Sequence, residues 1–205
     1  MPKQFFNYEQ QLNKLKNEKQ LTISNPAYAE EVLEKLGYYS LIGGYKNLFK
    51  HAASGKYIYG VTFEEIVSLY YFDEELRTLF LKYILHVERH MKSMMSYYFC
   101  EKYGDNQNAY LNKNNYNLSK RNAFEIERLV KSLNKTISLP SNYAYITHHA
   151  KVYGNVPLWV AMNALTFGQV SKMYQYASTD IRTKIAKCFG GISEKQLHQL
   201  ITIVA

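Results

Sequence analysis

The chain has 205 residues, with 25 Lys and Arg against 17 Asp and Glu, a formal charge of +8 and a pI near 9.2. With 47% hydrophobic residues it fills one core, yet no apolar run reaches the roughly 18 residues of a membrane span, so an integral helical membrane protein is excluded. The basic balance attracts polyanions, but by itself it fits an ordinary basic soluble protein equally well.

Met1-Pro2-Lys3-Gln4 leads into polar sequence rather than an apolar leader. Cys100 and Cys188 are too few for a disulfide framework and have no metal-ligand spacing, so they read as reduced thiols of a cytoplasmic protein. The twenty tyrosines read mainly as packing residues with wet hydroxyls; a minority is left to stack on bases.

In chain order, 7–20 predicts a marginal amphipathic helix with Leu12 and Leu15 on one side. Asn25 and Pro26 cap and open a helix that Gly37 stops. Gly43-Gly44 predicts a break in "YYSLIGGYKNLF", and "GKYIYGVT" (55–62) reads as a loop or one short β-hairpin edge. Thr62 and Glu65 form a capping box opening a long helical pattern, expected to break near Asp73. Leu76, Phe80, Tyr83, Val87, Met91, Met94 and Tyr98 then recur as one apolar stripe, ended by Gly104.

The Asn-rich 105–118 reads as a surface loop. Ser119 is the expected cap of a helix with Ile126, Leu129, Val130, Leu133 and Ile137 on its apolar face, ending before Pro140. Asn155 and Pro157 start the next helix, in which Trp159 and Leu165 read as packing residues and Gly168 as a stop or kink. A further helix carries Val170, Met173 and Tyr174; Asp180 caps a short one ending at Gly190, and Ser193 with Gln196 opens the last. Its stripe of Leu197, Leu200, Ile201 and Val204 still runs at Ala205, which predicts a chain cut inside a helix. The expected class is all-α: a multi-helix bundle with a small N-terminal helical extension (1–24) before one domain (25–205).

Chemistry is sparsely signposted. "HVERH" (86–90) puts His86 and His90 at i, i+4, but the Glu is two residues on, about 200° round the helix from His86 at ~100° per residue. No zinc site is expected there. His51, His148 and His149 fall in loop-like sequence. Phosphate loops, nucleophile elbows and paired-carboxylate signatures are missing, so no cofactor or metal is expected. Asp73 with Arg77, and Glu88 with Lys92, are i, i+4 pairs flanking the apolar stripe; spacing alone favours ordinary surface ion pairs. Lys113, Lys120, Arg121, Arg128, Lys131 and Lys135 cluster around 113–135, either as a phosphate-tracking face or as a solvated one; Lys120, Arg121, Arg128 and Lys131 are the RNA-binding candidates.

Three segments together, "EKLGYYSLIGGYKNLF" (34–49), "TFEEIVSLYYFDEELRTLFLKYILHVERHMKSMMSYYF" (62–99) and "GNVPLWVAMNALTFGQVSKMY" (154–174), resemble the bacterial abortive-infection Abi-like family, the AbiD and AbiF group. That resemblance implies phage defence, an all-α HEPN-related domain and metal-independent ribonuclease activity held in check as a toxin. The family's FD-x-x-LR matches Phe72-Asp73-Glu74-Glu75-Leu76-Arg77. Its E-x-x-x-R matches Glu88, with Lys92 in place of Arg, which keeps the charge but loses the bidentate fork. This raises both pairs to supporting polar residues of a site. The R-N-x-x-x-H motif expected of HEPN chemistry does not occur in residues 1–205, so the catalytic Arg and His are expected beyond Ala205. The implied partners are RNA, a second copy of the chain, and an antitoxin or small RNA, with no membrane. A non-catalytic RNA- or protein-binding module is the alternative, and a purely structural helical domain is the weakest reading.

Overall fold

The computed structural model describes residues 4–205, and most of it is helix. Strand pairing among the described residues is confined to two isolated bridges, Thr22 with Thr62 and Lys50 with Tyr57. The all-α expectation holds, and 55–62 is an irregular loop rather than a hairpin. The chain forms two compact units, one ending at Leu81 and the other Lys82–Ala205.

In the first unit, Asn7 and Gln10 form a reciprocal capping box at the start of α1 (Tyr8–Asn13), which runs into a wide turn over Lys14–Glu18. Leu12 and Leu15 are buried there, as their spacing predicts. Asn25 accepts from the Tyr28 N–H, Pro26 occupies the first turn of α2 (Pro26–Leu36), and Gly37 ends it at φ +76, a conformation that favours glycine. Gly43-Gly44 does not interrupt the next run: Tyr39–Gly43 keep a wide helical turn, and Gly44 is right-handed at φ −70. Leu41 and Ile42 of that turn join Leu33, Phe63 and Ile66 in this unit's core.

Helix α3 (Phe63–Tyr103) starts at the Thr62–Glu65 capping box. The expected break near Asp73 is absent. No Gly or Pro occurs between 63 and 103, and one interior Asp costs no more than about 0.7 kcal/mol of propensity. Gly104, at φ +85, ends the helix. The apolar stripe is only half covered. In the second unit Met91 is buried, with Val87, Met94 and Tyr98 packed beside it. Tyr83 is exposed there, and in the first unit so is Phe80, contrary to the continuous core stripe that their period suggests.

In the second unit, the Asn-rich segment is more ordered than its composition suggests. It holds α4 (Gln107–Leu111) and a single 3₁₀ turn at Lys113–Asn115, opened by the side chains of Asn106 and Asn112. Helix α5 (Ala123–Ile137) begins at Asn122 and not Ser119, because Ser119 donates its N–H to Asn122 Oδ1 and so makes a turn ahead of the helix. Ile126, Leu129, Leu133 and Ile137 are buried along α5. Helix α6 (Ala144–Tyr153) was not anticipated. It has no side-chain cap, and weak helix formers dominate it; it carries His148 and His149, which are therefore not in a loop.

Helix α7 (Leu158–Ala161) is one turn long, and α8 (Phe167–Tyr176) starts at a Thr166–Gln169 capping box. Gly168 thus lies in the first turn of α8, neither stopping nor kinking a helix. Leu165 is buried as expected, but Trp159 is 50% exposed and is not core. Helix α9 (Thr179–Cys188) is preceded by Ser178, with Asp180 in its first turn rather than at its cap. Gly190 and Gly191, both at positive φ, lead to the Ser193–Gln196 capping box of α10 (Glu194–Val204). Helix α8 packs on both α5 and α10, and α4 packs on α5. Among the described residues no helix is long and apolar enough to cross a membrane.

Candidate nucleic-acid interface

The sharp apolar face of α5 fixes what its other face shows. At ~100° per residue, Phe124, Arg128, Lys131 and Lys135 share one outward stripe, opposite the buried face. All four are exposed, Phe124 by 70%. The Arg128 guanidinium lies 5.8 Å from the Phe124 ring centroid, a cation–π arrangement. Lys120 and Arg121 are exposed in the turn before the helix. Lys120 and Arg121 thus lie just ahead of the helix whose outward stripe carries Arg128 and Lys131.

That face is partly self-neutralised. Arg128 is 3.3 Å from Glu125 and Lys131 is 2.7 Å from Glu127. The hydrogen bond from Lys131 holds the Glu127 carboxyl below its ordinary range. Lys120, Arg121 and Lys135 make no ion pair among the described residues. Exposed pairs such as these contribute at most about 1 kcal/mol, so a polyanion readily competes for Arg128 and Lys131.

The two i, i+4 ion pairs of α3 are both formed. Glu88 and Lys92 approach to 2.8 Å with only 24% and 20% of their side chains exposed, so they are sheltered rather than free surface charges. Asp73 and Arg77 are 3.5 Å apart and more exposed. Asp73 also accepts a 2.5 Å hydrogen bond from the Tyr45 hydroxyl, which raises the Tyr45 pKa. Tyr45 follows Gly43-Gly44, so this bond joins two of the sequence motifs within the first unit; the long sequence gap had hidden it. His90 stacks against Phe189 at 4.8 Å between ring centroids. Among the described residues no group of three or more His, Cys, Asp or Glu is gathered as a metal site.

Asn155 proves to be a cap for a different helix. Its Oδ1 accepts from the Gln107 N–H at 2.8 Å, while Gln107 Oε1 accepts from the Val156 N–H at 2.9 Å. The Tyr110 hydroxyl donates to the Val156 carbonyl at 2.6 Å, and burial pushes the Tyr110 pKa up. The distinctive "NVP" is thus a clasp holding α4.

A second polar feature was missed altogether. Arg121, Glu125, Arg182, Glu194, Lys195 and His198 line a recess of about 580 Å³ in the second unit. Arg182 Nε lies 3.3 Å from Glu194 Oε2, near enough for charge attraction. Its buried N–H nevertheless has no hydrogen-bond partner among the described residues. Glu194 also accepts a short hydrogen bond from Thr183. The buried Tyr174 hydroxyl donates to the Arg182 carbonyl at 3.3 Å, and burial lifts its pKa to about 12. These residues come from four separate stretches of sequence, so no local pattern could have announced them.

The model of the Abi-like protein family matches residues 31–205. Comparison with curated proteins and with solved structures gives no match to either.

Proposed function

The chain belongs to the Abi-like family, and from that membership we propose that it serves phage defence by abortive infection as an RNA-directed protein. The observation that carries the RNA reading is the outward face of α5. There Arg128, Lys131 and Lys135 stand with the exposed ring of Phe124 at one end, beside Lys120 and Arg121. Cations at helical spacing track a phosphate backbone, and an exposed aromatic offers a stacking platform for an unpaired base. A single strand suits such a face because its bases are free to stack.

In this reading the effector is a toxin of the HEPN type, as the sequence resemblance implies. Cleavage there proceeds by attack of the RNA 2′-hydroxyl on the adjacent phosphate, with a His as general acid or base and an Arg stabilising the phosphate charge. Two copies pair to complete the site, and the protein works in the cytoplasm. The exposed apolar residues of α3 in the first unit, Phe72, Leu79 and Phe80 among them, support such pairing.

The test is binding of single-stranded RNA by fluorescence anisotropy, with cleavage of the same RNA followed in EDTA. Reversing two charges, Arg128→Glu with Lys131→Glu, should weaken binding at least about tenfold. The salt dependence should also flatten by about 1.4 in log–log slope, ~0.7 per lost phosphate contact. Unchanged affinity and slope reject the α5 face. Cleavage that occurs only with added metal rejects the HEPN-type reaction.

A further inference from the structure

We propose that the recess lined by Arg121, Arg182, Lys195 and His198 holds one backbone phosphate of the RNA strand that runs along α5. This rests on the RNA reading above and assigns the strand a fixed anchoring point.

The charge arrangement favours an anion. Glu125 and Glu194 also line the recess, but each is already engaged, Glu125 with Arg128 and Glu194 with Arg182 and Thr183. Arg121 and Lys195 have no carboxylate partner among the described residues. The recess is therefore left with uncommitted positive charge at Arg121 and Lys195. Burial first, then the positive charges of Lys172 and Arg182, hold the His198 imidazole below its ordinary value.

The donor inventory points the same way. Arg182 is oriented by Thr179, which accepts from Nη2 at 3.3 Å, and by the charge of Glu194, so its guanidinium is held in place. Its Nε–H is shut off beside Glu194, so an anion in the recess meets the rest of this part-exposed side chain. A phosphate supplies several acceptor oxygens and pairs with guanidinium forks better than with point charges. Arg121 joins the recess to the outer face, because it lines the one and precedes the helix that bears the other. A strand lying on Phe124 and Arg128 therefore passes the mouth of the recess.

The experiment uses the full chain and two readouts. The first is affinity for a short oligouridylate in the Arg121→Gln, Lys195→Gln double variant; neither side chain has an ion-pair partner to lose. Removing two charge-assisted contacts should weaken binding about tenfold or more and shallow the salt slope. The second is the His198 pKa, followed by NMR and assigned with a His198→Gln variant. A phosphate close by stabilises the imidazolium, so the oligouridylate should raise that pKa in the native chain but not in the double variant. Inorganic phosphate and uridine monophosphate are run alongside.

If the double variant binds RNA normally and the His198 pKa stays put, the recess proposal falls while the α5 face stands. If RNA fails to bind at all, yet inorganic phosphate or the mononucleotide raises the His198 pKa, the recess is a small-anion site and the RNA assignment is overturned along with the reading beneath it.

Discussion

Helices α3 and α5 both carry many apolar residues, but α3 buries them only toward its two ends, at Phe63, Ile66, Met91, Met95 and Phe99, whereas α5 buries one face along its whole length. On α5 the aliphatic positions recur on a single face, with Phe124 alone among the large apolar residues outside it, and all of Ile126, Leu129, Leu133 and Ile137 are buried. The middle of α3 is apolar nearly all the way round, and Tyr71, Phe72, Leu79, Phe80 and Leu81 are exposed there within the first unit. One-sided periodicity names a partner surface. Periodicity read off a helix that is apolar on every side names only one of several possible stripes. The consequence for function is direct, since the certainty of α5's inner face is what assigns its outer one.

The strongest way to break this comparison is to truncate a matched residue on each helix. Leu133→Ala removes a fully buried side chain and should cost about 2–5 kcal/mol in chemical denaturation. Phe80→Ala, at a position 58% exposed, should fall within about 0.5 kcal/mol in dilute protein. A larger loss that grows with protein concentration would show that a second copy covers Phe80. A large loss independent of concentration would refute the contrast between the helices.

A smaller effect sharpens the α5 side. Helix α4 packs against α5 and depends on Asn155 for its first N–H. Asn155→Ala should cost about 1 kcal/mol, the usual cost of losing a cap, with hydrogen exchange accelerated at Gln107 and Asn108. Loss of protection elsewhere but not there would show that the clasp has another role.

The smallest effect concerns the anchored end of α3. Lys102 reaches Asp180 at 2.7 Å, and this hydrogen bond, followed by one from Ser178, lowers the Asp180 carboxyl to about 2. A depressed carboxyl stabilises the fold above its ordinary value of 3.8, and that contribution disappears as the pH falls toward 2. The pair is partly exposed, so Asp180→Asn should cost under about 1 kcal/mol at neutral pH. Native and variant stabilities should converge as the pH drops from about 4 to 2, and a difference that persists at pH 2 would reject the ion pair as its source.

These contrasts also explain what the sequence made legible. Capping boxes at Thr62 and Ser193 are short, local and geometrically strict, and both stand as read. The equivalent box at Thr166 was passed over because Gly168 reads as punctuation, although glycine in a first turn disturbs little. Helix α6 lacks a cap and is built from His, Tyr, Val and Thr, so nothing local distinguishes it from a loop. Trp159 reads as core by its type, but α7 turns Leu158 and Ala161 inward and leaves Trp159 half exposed. The basic face of α5 was visible as a cluster because its members lie within a few turns. The recess was not, since Arg121, Arg182 and His198 meet only after α5 and α10 have packed on α8 and α9 on α10.

Gln169 has a consequence that reaches α5. Its Oε1 accepts from the Thr166 N–H at 2.9 Å, while its Nε2 donates to Ser132 Oγ at 2.8 Å and Thr136 Oγ1 at 3.1 Å. One amide thus opens α8 with its oxygen and keys the rotation of α5 with its nitrogen. Glu at this position would keep the first role and lose the second; Lys would do the reverse. A turn of α5 by a single residue, about 100°, would carry Ser132 out of reach and swing Arg128 and Lys131 away from where they stand. The outward display of those cations is thus latched from the inside by a neutral side chain that no ligand need ever touch.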